Sequence, residues 1–229
     1  MKAELIDCMG NDLLVVNAAR VSFDKESTWE HKSITEGRPD SLYDIRVLSD
    51  KDVKLIRYLG GHGHWTPFSH PQITMRETVP IFVARQRFRH TVGFTYNEMS
   101  RRYVDDAPEF YKSTWRERPD KSLKQGSGGP LSEEAQDRCN LLYNRAEFEA
   151  LTAYNDLLKE GVAPEQARVV LPQSMYTSYY VTGSLAAWAR AYNLREDPTK
   201  AQSEIADLAR QWDKIIYPLF PISWEALVI

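Results

Sequence analysis

Cysteine is almost missing from this chain: Cys8 and Cys139 are the only two among 229 residues. They form neither a C-x-x-C pair nor the dense, even pattern of a secreted scaffold, which points to a reducing compartment and to buried thiols. Long apolar runs are absent too. No stretch approaches the ~18 apolar residues of a membrane span, and Glu4, Asp7 and Asp12 interrupt MKAELIDCMGND where a signal peptide needs an unbroken apolar core. The expected location is the cytoplasm, with no membrane partner. Net charge is small: 29 Lys and Arg against 32 Asp and Glu leave −3, which lowers the expectation of nucleic-acid binding through phosphate contacts. Neither G-x-G-x-x-G nor a Walker A sequence occurs. What is present, 42% hydrophobic and 27% charged residues without an internal repeat, excludes disordered and fibrous classes and suits one folded domain over residues 1–229.

Helical and strand periods alternate without a regular βαβ order, so the expected fold class is α+β, or a helix-rich α/β. Ser49, with Asp52 three residues on, predicts a helix through Val53, Ile56 and Leu59 that Gly60 and Gly61 stop. After the connector GHGHWTPFSH, Gln72 to Val79 sets Ile73, Met75 and Val79 against Gln72, Thr74, Arg76 and Thr78, the period of a half-buried strand, with Glu77 interrupting the apolar side. Pro80 ends that strand and can open a helix with an apolar stripe of Ile81, Phe82, Ala84 and Phe88, leaving Arg85, Arg87 and Arg89 on other faces. Residues 112–130, KSTWRERPDKSLKQGSGGP, are expected to form a mobile loop. Ser132 then caps a long helix whose repeating side carries Cys139, Leu142, Tyr143, Ala146, Ala150, Ala153, Tyr154 and Leu157, ended by Gly161. Asp197 and Pro198 are expected to open a final helix that turns Ala201, Ile205, Leu208, Trp212, Ile215 and Leu219 inward.

Three clusters carry chemistry. RQRFRHTVGFTYNEMSRRY, residues 85–103, sets Arg85, Arg87, Arg89, Arg101 and Arg102 against Glu98 alone. Forked guanidiniums gathered in an acidic chain suit bidentate recognition of phosphate on a small anion, and Phe88, Phe94, Tyr96 and Tyr103 are interleaved with them. If Glu98 to Arg102 runs extended, Glu98, Ser100 and Arg102 share one face, and Met99 and Arg101 the other. A solvated arginine-rich helix face is the competing explanation. The second cluster is His62, His64 and His70. Its H-x-H spacing invites a metal, but no Asp or Glu lies within 62–70 to complete or orient a ligand set, so no metal is expected. The third cluster holds Arg168, Arg190 and Arg195 among apolar residues, either as structural ion pairs or reaching the same anion as the first. A metal-dependent nucleotide hydrolase and a non-catalytic nucleotide- or RNA-binding protein both stay open on these residues.

In this order the clusters resemble the flavin-dependent thymidylate synthases, and the match runs nearly end to end: ARVSF at 19–23, HGHWTPFSH at 62–70, PIFVARQRFRH at 80–90, NEMSRRY at 97–103, ARVVLP at 167–172 and NLR at 193–195. The resemblance implies a central, mostly antiparallel sheet flanked by long helices. It also implies a homotetramer that binds FAD and deoxyuridine monophosphate (dUMP) in sites shared between subunits. The reaction implied is conversion of dUMP to dTMP, with a methylene group from 5,10-methylenetetrahydrofolate and reduction by flavin hydride drawn from NADPH.

By the same resemblance the catalytic residue is Arg195, a permanent cation held against the uracil to stabilise the anion formed at nitrogen 3. Gln86, Arg89, Glu98, Ser100, Arg101, Arg102, Arg168 and Arg195 match nucleotide-contacting positions, and Ser22, His64, Thr66, Arg89, His90, Thr91, Val92, Glu98 and Arg190 match FAD-contacting ones. In that scheme Arg89 and His90 meet the pyrophosphate and His64 faces the ring system. A flavin-free thymidylate synthase needs a cysteine nucleophile in a P-C-H context, which neither Cys8 nor Cys139 has. Ser100 is read as a binder, because no His or Lys stands in its block to take its proton. The chain departs from the family pattern R-H-R-x-x-S-x-N-E-x-S-x-R at Thr91, where the second arginine is missing, and by one extra residue before Asn97. Either Arg85 or Arg87 replaces that cation, or FAD binds more weakly. Ser69, Ser184, Ala186 and Arg190 also differ from the usual residues.

Overall fold

Residues 1–35, 42–102, 107–119 and 126–228 are described by the computed structural model; Tyr103 and positions 120–125 of the expected loop lie outside them. Strand β1 (Lys2–Met9) leads to α1 (Asp12–Arg20), a 3-10 turn at Val21–Phe23, and the antiparallel pair β2 (Glu30–Thr35) and β3 (Leu42–Val47). Next come α2 (Asp50–Gly61), a 3-10 turn at Thr66–Ser69, β4 (Gln72–Pro80), α3 (Ile81–Arg87) and β5 (Phe94–Glu98). The second half holds α4 (Glu133–Lys159), α5 (Pro164–Ala167), a 3-10 turn at Arg168–Val170, β6 (Tyr176–Ser184), α6 (Leu185–Asn193), α7 (Ser203–Ile216) and α8 (Pro221–Leu227).

The main sheet runs in the order β1-β4-β6-β5 and is antiparallel throughout, so the α+β class and its antiparallel sheet are as expected. Alternation places Ile73, Met75, Glu77 and Val79 of β4 and Thr177, Tyr179 and Val181 of β6 on one buried face. Helices α3, α6 and α7 pack there, with Trp188 and Trp212 fully buried between them. No helix among the described residues is long and apolar enough to cross a membrane.

Helix ends follow local chemistry. The Ser49 hydroxyl accepts from the Asp52 N–H at the start of α2, and Ser132 does the same for Ala135 at α4. Gly60 and Gly61 form the last turn of α2 itself instead of stopping the helix at Leu59. A Cβ on Gly60 would lie 2.4 Å from the Ala226 carbonyl oxygen, so glycine is what lets α8 cross α2 this closely.

Several expectations need correction. Arg87 does not occupy an outer face: it is fully buried, because Val83, Ala84 and Arg87 recur at helical spacing on the inward side of α3. Its Nε lies 3.2 Å from a carboxylate oxygen of the equally buried Glu77, the residue that interrupts the apolar side of β4. Asp197 caps only a single turn, accepting from the Thr199 N–H and hydroxyl; Gln202 is extended and α7 restarts at Ser203, which buries Ile216 more deeply than Ile215. The repeating side of α4 is largely exposed, with Leu142 at 69% and only Tyr154 fully buried. The described ends of the 112–130 segment are pinned: Arg116 bridges Pro130, and its guanidinium reaches Glu204 at 2.6 Å. Extended structure stops at Glu98, and Ser100 to Arg102 turn, with the Ser100 hydroxyl accepting from the Arg102 N–H.

Candidate functional site

Two cavities gather the residues singled out above. The first, about 550 Å³, opens where β5 ends beside the start of β6 and faces the Glu165–Leu171 segment. Glu98, Ser100, Arg101 and Arg168 line it, so the first and third sequence clusters meet across this space. Consecutive residues 98–101 contribute together because the chain turns there, a placement that strict strand alternation does not give. Glu98 is fixed by Thr177, whose hydroxyl donates to the carboxylate at 2.6 Å. Arg168 is exposed and held through its Nε, which donates to the Glu165 carbonyl at 3.2 Å. Arg101 is buried and Arg102 exposed. A carboxylate, a hydroxyl and cations on one wall can hold a sugar phosphate.

The second cavity, about 640 Å³, lies between the Gly63–Ser69 turn, residues Val92 and Gly93, and the start of α6. Gly93 has φ +79°, and a Cβ there would lie 2.9 Å from the Ala187 Cβ, so only glycine lets the chain turn this close to α6. Arg190 seals the turn by donating to the Val92 carbonyl. Trp65 stands 61% exposed at this wall. The lining is a largely apolar slot with one cation, Arg190, at its edge. Arg89 and Arg195 lie outside this lining; the apolar slot with Arg190 beside it fits a planar ring system carrying phosphates.

Arg195 follows α6, half-buried, and its Nε donates to His90 Nε2 at 3.0 Å. Burial and the neighbouring Arg89 pull its guanidinium below the usual arginine value. His90 is only 9% exposed. Burial first, then Arg87, Arg195 and Arg190, lower its imidazole to about 4, so it is neutral at physiological pH. Its backbone is held by the Tyr96 hydroxyl, which donates to the His90 carbonyl at 2.6 Å, and Arg87 Nη1 donates in turn to that hydroxyl at 2.6 Å.

The remaining candidates are dispersed. Ser22 is exposed on the Val21–Phe23 turn, His64 and Thr66 are exposed beyond α2, and Thr91 and Arg85 face solvent. Gln86 hydrogen-bonds Gln202. His62 caps α2, bonding the Tyr58 carbonyl at 2.8 Å and stacking on that ring, while His64 lies 6.2 Å from it. Among the described residues no group of three His, Cys, Asp or Glu side chains could hold a metal. Arg87 cannot replace the missing second arginine of the family pattern, since its charge is spent on Glu77 and on the rings around it. Two supporting residues escaped the sequence reading. Thr177 gave no signal beyond an ordinary strand position. Asp52 was seen only as part of a helix cap, yet it binds Arg20 at 2.6 Å and Ser27 at 2.9 Å, holding the two flanks of the Ser22 turn.

The family model described as "Thymidylate synthase complementing protein" matches residues 4–222. A flavin-dependent thymidylate synthase from Thermotoga neapolitana is 36% identical over 225 residues, covering 98% of this chain and 89% of its own length. One from Thermus thermophilus is 36% identical over 222 residues, covering 97% and 73%. Among solved structures, the UMP/dUMP methylase PolB from Streptomyces cacaoi bound with 5-Br UMP superposes with a TM-score of 0.80 at 29% identity, covering 98% of this chain and 92% of that one.

Proposed function

This chain belongs to the thymidylate synthase complementing protein family, the flavin-dependent thymidylate synthases, and on that premise we propose that it methylates dUMP to dTMP with FAD as cofactor. Support comes chiefly from the cavity where Glu98, Ser100, Arg101 and Arg168 converge, a carboxylate, a hydroxyl and two cations on one wall in a chain of net charge −3. Half-burying the Arg195 cation with no ion pair among the described residues is costly unless an anionic ligand supplies the counter-charge.

In this reading Arg101, Arg102 and Arg168 take the phosphate, and Glu98, steadied by Thr177, meets the sugar and base together with Ser100 and Gln86. Arg195 stabilises the anion formed when uracil nitrogen 3 loses its proton, which makes carbon 5 the nucleophile toward the methylene group of 5,10-methylenetetrahydrofolate. No enzyme nucleophile is required. Burial, then Asp7, raises the Cys8 thiol away from thiolate, and neither Cys8 nor Cys139 lines either cavity. FAD would be held by Ser22, His64, Thr66, Arg89, His90, Thr91, Val92, Glu98 and Arg190, and when bound and reduced by NADPH it would supply the hydride that completes the methyl group.

The two cavities share no lining residue, and the apolar side of α4 lies open. Both features support a homotetramer whose sites are completed between subunits. The chain is one domain acting in the cytoplasm on small molecules. The test is the visible spectrum after FAD addition and desalting, with and without dUMP, followed by dTMP formation in the presence of the folate and NADPH. A retained flavin band that shifts with dUMP, turnover, and loss of turnover in Arg195→Ala with flavin still bound are expected. A colourless, inactive protein overturns the proposal. The similarity to a UMP/dUMP methylase favours one second reading, acceptance of UMP as well, which the same assay with UMP decides.

A further inference from the structure

We propose that His90 is a positioning residue for Arg195: its Nε2 lone pair fixes the guanidinium through Nε and leaves both Nη groups to face the nucleotide base. This rests on the reading of Arg195 as the group that stabilises the uracil anion. An arginine Nε–H can only donate, so the 3.0 Å contact requires a bare Nε2 on His90 and places the ring proton on Nδ1. The Nη groups of Arg195 make no hydrogen bond among the described residues. A guanidinium anchored at Nε keeps its plane, which is what two-point recognition of a base edge needs.

The choice of imidazole has a physical reason. A carboxylate would anchor Arg195 equally well but would cancel its charge where the uracil anion has to be stabilised. A neutral ring orients the cation and leaves its field intact. The surroundings enforce that neutrality. Arg87 on α3, Arg190 on α6 and Arg195 itself all face His90, and no acid among the causes of its lowered pKa opposes them. The Tyr96 hydroxyl from β5 bonds His90 at its backbone carbonyl, not at the ring. The backbone of His90 is also held, since its main-chain N–H donates to the Arg87 carbonyl at 3.1 Å and Arg87 is buried in the core.

Three replacements separate positioning from simple packing. His90→Gln keeps a neutral acceptor, His90→Glu keeps the acceptor but adds a negative charge, and His90→Phe keeps bulk and removes the acceptor. The expected pattern, at saturating FAD, is a kcat for Gln ~10- to 100-fold above that of both Glu and Phe, with KM for dUMP changed far less. A purely structural role would instead rank the variants by thermal stability. Phe within twofold of wild type in kcat would overturn the proposal, as would Glu equal to Gln.

A second readout needs no turnover. Nitrogen NMR of histidine-labelled protein has only five histidines to resolve. It should find His90 neutral with the proton on Nδ1 near neutral pH, and titrating higher in Arg195→Ala. A protonated His90, or a titration that ignores Arg195, refutes the contact even if the Phe variant fails to fold. Normal turnover in Arg195→Ala would sink the activation reading on its own while leaving the NMR contact intact.

Discussion

Replacing Glu77 by Gln should destabilise the protein far more than a surface substitution, because it strands a cation in the core. Glu77 and Arg87 are both fully buried, with Arg87 Nε 3.2 and 3.3 Å from the two carboxylate oxygens and the Tyr179 hydroxyl donating to Glu77 at 2.6 Å. Glutamine keeps the volume and still accepts from Tyr179, so the loss isolates the charge. Removing one member of a buried pair costs about 3–5 kcal/mol. The Arg87 guanidinium also sits 4.3 Å from the Phe94 ring centroid, 4.7 Å from Trp188 and 4.8 Å from Trp212. Such contacts return up to about 2 kcal/mol in a desolvated site, which favours the low end, about 3 kcal/mol. For a chain of this size that is a fall of roughly 6–12 °C in Tm. Urea unfolding and thermal melts at fixed protein concentration measure it. The double variant Glu77→Leu with Arg87→Met should recover most of the loss, since it removes both desolvation costs at once. A Glu77→Gln protein within about 1 kcal/mol of wild type would refute the reasoning and place the stabilisation of Arg87 in the rings alone.

Other outcomes follow from the same geometry. Gly60→Ala should destabilise by about 1–3 kcal/mol, the reverse of its helix propensity, because the new Cβ meets the Ala226 carbonyl; a stabilised variant would show that α2 and α8 part easily. Arg168→Ala should weaken dUMP binding about tenfold or more by calorimetry, and an unchanged Kd removes Arg168 from the site. Phe148, 70% exposed on α4, should break an oligomer when changed to Glu; an unaltered mass by light scattering would mean that α4 is not an interface. Burial raises the Asp52 carboxyl, but hydrogen bonds from Ser49, Arg20 and Ser27 together hold it below its ordinary value. A depressed folded-state pKa adds stability above the unfolded value and loses it as pH falls below roughly 4, so Asp52→Asn should flatten the acid limb of the stability profile and lower stability at neutral pH. An acid limb identical to wild type would contradict that assignment.

Much of the site was legible before the structure because its chemistry sits in short blocks. The arginines of 85–103 and the later Arg168, Arg190 and Arg195 stand out against an acidic chain, and the structure brings Arg168 to Glu98, Ser100 and Arg101. Arg85, Arg87 and Arg89 looked equivalent, however, and they are not. One is exposed on a two-turn helix, one is the counter-ion of Glu77, and one lies beside Arg195. Charge in a sequence carries no label for which copy will be buried. The partner that decides it lies on β4, ten residues earlier, and comes within reach only once the strand and helix pack.

The sequence by itself determined what depends on neighbours along the chain. Ser49 and Ser132 cap their helices, Ile73 to Val79 alternate into a strand, and Pro80 separates strand from helix. These are interactions over at most a few residues, so a local pattern contains them whole. Only the tertiary structure decided what depends on segments far apart in sequence: the Glu77–Arg87–Tyr179 core, the His90–Arg195 contact across 105 residues, the division of the candidates between two cavities, and the open side of α4. Periodicity reports that a face is apolar, but whether that face meets a sheet, a ligand or another copy of the chain is set by the packing of the whole.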